Sequence, residues 1–230
     1  MNCKKYKMKN IILLCLIFTL YNCKQNKQEI IGKEDEMENE YNKLINKEFE
    51  KFDIDRFNKN KDEAEDYLYV LNNGTKINEY GNSESGYFIE ETPKNSLFVI
   101  SKGFYLNLGI RAKGVKYGNV GCVLGIWYEF DENGKLIKET NYDQPFKITI
   151  NEIIEFLKIN KVDLHAATTS VNRFYDEKTK KGTWTLRYFG EYKGKSGKLI
   201  VTIDDGSKVI QEVIRITGKR GEKEILFESK

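Results

Sequence analysis

The chain has 230 residues, 40% of them hydrophobic and 32% charged, which is enough to bury one core or two small ones without disulfide staples. All four charges among residues 1–22 are lysines, so beyond them 34 basic residues face 35 acidic ones and the net charge falls from +3 to −1. That balance removes the electrostatic footing of a nucleic-acid binder.

Lys4, Lys5, Lys7 and Lys9 open the chain, an apolar run covers 11–20, and Leu20-Tyr21-Asn22-Cys23 closes it. The run is too short for a membrane-spanning helix, which needs about 20 apolar residues. An Ala-x-Ala-like cleavage site of soluble secreted proteins is missing, since the first alanine is Ala64. The segment resembles the export signal of bacterial lipoproteins. Leu20 stands three before the cysteine, as in a lipobox, while Tyr21 and Asn22 take positions where small residues are usual. The resemblance implies removal of 1–22 and acylation of Cys23. The product would be a lipoprotein of the cell envelope, at the outer membrane, held by several acyl chains, palmitate among them. Such an anchor is far firmer than a single chain, which binds only marginally. Cys3 and Cys15 would leave with the signal, so Cys122 stands alone in an apolar stretch and reads as a buried structural thiol.

Residues 23–36 are polar after the cysteine and have no period, which predicts a flexible tether reaching at most roughly 40 Å. Over 37–52, Met37, Tyr41, Leu44, Ile45, Phe49 and Phe52 recur at steps of three and four and predict an amphipathic helix. The acidic stretch 53–62 fails as a calcium loop: Phe57 takes the fifth position, Asn58 the sixth and Ala64 the twelfth. It reads as a solvated polar loop. Alternating runs then predict strands at 67–71, 86–90, 97–101, 104–106, 120–130 and 135–142, with Pro93 and Pro145 between runs. Asn133-Gly134 marks a hairpin. A two-residue turn would set Phe130 opposite Ile137 and Glu129 opposite Lys138, whereas a three-residue loop with Gly134 left-handed would set Phe130 opposite Leu136.

Thr149 and Glu152 form a capping box, Ile148 and Ile153 a staple, and Ile150, Ile153, Ile154 and Leu157 a buried stripe, which predicts a helix over 150–160. Three strands follow at 183–189, 199–203 and 209–216, the first with Trp184, Leu186 and Tyr188 on one face. Asp204-Asp205-Gly206-Ser207 turns between the last two. The predicted class is α+β. Residues 37–147 would form a helix with an antiparallel hairpin or meander sheet, and 148–230 a helix with antiparallel strands.

At an offset of 26, Phe104-Tyr-Leu-Asn107 matches Phe130-Asp-Glu-Asn133, and Ile110 matches Leu136. The stretch 103–142, best over Gly125-Ile126-Trp127-Tyr128-Glu129-Phe130-Asp131-Glu132-Asn133-Gly134, resembles the MORN-like repeats of YwqK-type bacterial proteins, some described as antitoxins. The helix and strands of the last eighty residues are similar to PepSY-like domains of exported bacterial proteins. Both resemblances imply a non-enzymatic scaffold that binds another protein, most sharply a toxin met by an immunity protein, and otherwise a scaffold or assembly lipoprotein of the envelope. The candidate contact residues are Tyr105, Tyr117, Trp127, Tyr128 and Tyr142, of types enriched at interfaces. The membrane would be reached through the lipid on Cys23.

Catalysis has little to stand on. A triad would need His165, and no nucleophile-elbow motif accompanies it. One usable cysteine and one histidine cannot close a metal shell, so neither metal nor cofactor is expected. A carboxylate-dependent hydrolase would draw on Glu90-Glu91, Asp131-Glu132 or Asp204-Asp205, but neighbours on a strand point to opposite faces and turns explain these pairs more simply.

Overall fold

The computed structural model describes residues 40–118, 121–218 and 221–229. The expected export signal, Cys23 and the tether lie outside the described residues. Seven strands follow one another as an antiparallel meander: β1 (Asp66–Val70), β2 (Lys76–Asn82), β3 (Gly86–Thr92), β4 (Phe98–Phe104), β5 (Ile110–Tyr117), β6 (Val123–Phe130) and β7 (Leu136–Asn141). After the helix α2 (Ile150–Ile159) comes a second antiparallel sheet, in the order β12 (Glu222–Glu228), β11 (Val209–Thr217), β10 (Lys195–Asp204), β9 (Lys181–Tyr192), β8 (Ser170–Asp176). The class is α+β, mostly antiparallel sheet with two helices. Five strands follow α2 where the sequence predicted three.

The predicted amphipathic helix over 37–52 is not formed. Its described part is a 3-10 turn, Glu40–Leu44, and an extended run to the short helix α1 (Ile54–Asn60). Tyr41 joins one apolar cluster with Val115, Tyr117 and Leu124, Phe52 and Phe57 join another with Tyr87, Phe104, Ile110 and Phe130, and Ile45 packs on both. The backbone after Ile45 is taken up by the sheet, with Lys51 bridging Gly109, instead of by helical bonds to the fourth residue before. The strap is tied down by Phe52 N–H donating to Leu108 O (2.9 Å) and Ile110 N–H donating to Glu50 O (2.9 Å). Within 53–62, the expected solvated loop is α1 instead. The Asp53 carboxylate caps it by accepting from Arg56 N–H at 3.0 Å, and Phe57 is fully buried.

The 26-residue repeat corresponds to two hairpins at one end of the meander. Phe104 pairs with Ile110 and Phe130 with Leu136, each just after a bulge. Tyr105 N–H donates to Gly109 O and Asp131 N–H to Lys135 O, and Leu108 (φ 70°) and Gly134 (φ 83°) take the left-handed positions. Of the two registers open for Asn133-Gly134, the Phe130–Leu136 pairing is formed. The bulge after Glu129 also restores Lys138 opposite Glu129 and leaves Ile137 exposed. A further turn of the same kind joins β1 and β2, where Leu71 N–H donates to Thr75 O and Gly74 is left-handed at φ 84°.

The first cluster continues across residues 147 and 148 without a break. It takes in Ile150, Ile153 and Leu157 of α2 and Trp184, Leu186, Leu199, Val201 and Val213 of the second sheet. The α2 entry has its capping box, with Ile148 and Ile153 both buried.

Candidate functional site

On the inner face of the meander, charge lies between the two apolar clusters. Lys113 is 0% exposed, and its ammonium donates to Asn46 Oδ1 (3.0 Å), Glu48 O (2.5 Å) and Glu50 Oε1 (2.7 Å). Lys102 bridges Glu50 and Glu91 at 2.7 Å each, and buried Glu79 holds Arg56 and accepts from the Tyr69 hydroxyl at 2.9 Å. Burial works to raise the Glu50 carboxyl, but its bonds to Lys102 and Lys113 outweigh that and hold it below its ordinary value. Through Asn46, Glu48 and Glu50 these charges clamp the strap.

A second network ties the sheets together. Asp143 accepts from the Tyr41 hydroxyl (2.5 Å), Gly125 N–H (3.1 Å) and the Arg173 guanidinium (2.7 Å), which also donates to Val123 O (2.7 Å) and lies over Phe146 and Trp184. Burial, then the bond to Asp143, pushes the Tyr41 hydroxyl far above its ordinary value. Asp205 is buried too, accepting from Lys147 N–H, Ile148 N–H and the Trp184 indole at 2.8–3.1 Å. Each acidic pair therefore has structural work. Asp204 caps the Ser207 turn, Asp131 the 131–135 turn, and Glu90 and Glu91 bind Lys116 and Lys102.

The five candidate contact residues do not form one surface. Tyr117 and Tyr128 belong to the inner face and are buried, which corrects the expectation that they meet a partner. Tyr105 is half-buried and its hydroxyl links the two repeat hairpins by donating to Phe130 O at 2.8 Å, beside Asn107 Nδ2 donating to Glu132 O at 3.0 Å. Trp127 and Tyr142 remain together on the outer face, edge to face at 6.3 Å, with Tyr142 38% exposed. The Trp127 indole covers Gly114, where a Cβ would clash with the ring, and its N–H donates to Val115 O at 3.2 Å.

Three outer-face residues escaped the sequence reading. Phe88 stacks on Tyr80 at 5.3 Å, lies against Gly103, and carries the Arg111 guanidinium 5.9 Å above its ring. Ser101 faces Gly114 and Gly103 faces Ala112, so a strip of small residues separates the Tyr80–Phe88–Arg111 group from the Trp127–Tyr142 group. Gly103 and Gly114 are buried beneath Phe88 and Trp127, so the rings fill the strip and present their outer sides, beside exposed Arg111, at the surface. Placing β2 and β5 in phase would have found them.

His165 is exposed and lines a pocket with Lys76, Thr92, Lys94 and Ser96, and its backbone N–H donates to the Asp163 carboxylate at 2.9 Å. Burial pushes the Cys122 thiol up to about 11. Among the described residues no three His, Cys, Asp or Glu side chains converge as metal ligands, and no helix is long and apolar enough to cross a membrane. No protein-family model, curated protein or solved structure matches the chain.

Proposed function

We propose that the chain is a lipid-anchored, non-enzymatic protein of the bacterial envelope that binds another protein, in its sharpest form a toxin-neutralising immunity protein. The observation that carries this reading is the outer face of the meander, where Trp127–Tyr142 and Tyr80–Phe88–Arg111 flank a strip of small residues. Aromatics and arginine on a rigid sheet lose little conformational freedom on docking and concentrate binding energy. The groups with strongly displaced equilibria, Tyr41, Tyr69, Tyr117, Tyr188 and Cys122, are displaced first by burial and include no carboxylate, which favours binding over turnover. The lipobox resemblance at Cys23 supplies the anchor.

The test is growth of a strain lacking the chain beside toxin-producing siblings. Sensitivity of the deletion strain, relieved by restoring the chain, is expected. Unimpaired survival contradicts the immunity reading.

A further inference from the structure

The five-stranded sheet buries one face against α2, and its opposite face carries a patterned patch. Across four strands, Arg187, Ile200, Ile214 and Ile225 stand directly opposite one another, and the adjoining row is Phe189, Lys198, Ile216 and Lys223. Phe189, on β9 just beyond its pairing with β8, and Ile225, on the edge strand β12, are each 58% exposed and extend the apolar patch to both sides of the face. Arg187, Lys198 and Lys223 have no ion-pair partner among the described residues, while Arg215 and Lys195, on the other face, both pair with Glu224. The acidic residues of the patterned face lie outside the two rows: Asp176, Asp204, Glu212 and Glu228 on one side, Glu191 on the other.

We propose that this face rests on a lipid leaflet carrying anionic headgroups. Isoleucine and phenylalanine enter the interface, and the three cations, whose stems run along the apolar surface, meet the headgroups. This rests on the anchored reading of Cys23. Only residues 24–39 separate that cysteine from the first described residue, so the domain stays within about 55 Å of the leaflet. Held so near, a patch of weak intrinsic affinity is occupied.

The test uses the chain from residue 23 onward with Cys23→Ser, which retains every described element, and sedimentation with vesicles of phosphatidylcholine alone or mixed with phosphatidylglycerol. Binding to the mixed vesicles only, falling with salt, is expected. Lys198→Gln and Lys223→Gln should each weaken it by about fivefold, and Ile225→Asp should abolish it with the melting temperature kept. Absence of binding, or binding unchanged in Ile225→Asp, overturns the proposal, as does a face that captures an acidic protein and ignores vesicles. Mass spectrometry of the full chain separates the two readings. Unmodified Cys23 with intact vesicle binding removes the anchor alone, whereas acylated Cys23 without vesicle binding by the Cys23→Ser chain removes this proposal alone.

Discussion

Replacing Lys113 with methionine keeps the stem and deletes the ammonium that holds the strap. Glu48 O and Asn46 Oδ1 then lose their donor, and Glu50 is left with Lys102 alone. Lys113 is 0% exposed, so no water replaces the lost bonds unless the strap lifts. Breaking a buried pair of this kind costs about 3–5 kcal/mol, which for a domain of this size lowers the melting temperature by roughly 6–20 °C. The exposed pair Lys47–Glu139 is the control: at 58% and 40% exposure, Lys47→Met should leave stability nearly unchanged. Chemical denaturation measures both. Hydrogen exchange locates the loss, because the amides of Phe52 and Ile110, which bind Leu108 O and Glu50 O, should open before those of β9 and β10. A Lys113→Met variant as stable as the parent, or one that loosens β9 and β10 equally, refutes the strap account.

Asp205→Ala orphans two buried donors, Ile148 N–H and the Trp184 indole, and the part-buried Lys147 N–H, and should cost about 3 kcal/mol by denaturant titration. Gly114→Ala drives a methyl group into the Trp127 indole, so a loss of about 1–3 kcal/mol should come with a red shift of tryptophan emission while Trp184 stays buried. The lowered Glu50 and Glu152 carboxyls contribute stability that is complete above their ordinary values and is lost as pH falls through the depressed ones. The denaturation midpoint should therefore fall below about pH 4.5, and less steeply in Glu50→Gln. With its thiol pushed up to about 11, Cys122 should resist thiol reagents at pH 8 until the chain unfolds.

Local grammar carried the parts of the fold that need no distant partner. The capping box at Thr149 and Glu152, the left-handed Gly134 and the Trp184-Leu186-Tyr188 alternation act over a few residues, and all are formed. Besides the edge strand β12, the strands left out share a different feature: β2, β5 and β8 each place a charged residue inward, namely Glu79, Lys113 and Arg173. An inward charge breaks the apolar alternation, and its compensation lies 23 residues away for Glu79 with Arg56, 63 for Lys113 with Glu50, and 30 for Arg173 with Asp143. The same blind spot hid Tyr80, Phe88 and Arg111, since their face follows only from the phase of β2, β3 and β5. The 37–52 segment misled differently. Its three-and-four spacing is real, but the backbone of 50–52 is bonded to the hairpin at 108–110, a partner that no local pattern announces.

The most direct measurement is complementation of the deletion strain, challenged by toxin-producing siblings, with an Arg111→Glu/Tyr142→Asp double variant. Both side chains are exposed, so the variant should fold with an unchanged melting temperature. The account predicts that the parent chain restores growth and the double variant does not. Full rescue by the double variant, present at the parent's level in the envelope, would contradict a partner bound on the outer face of the meander.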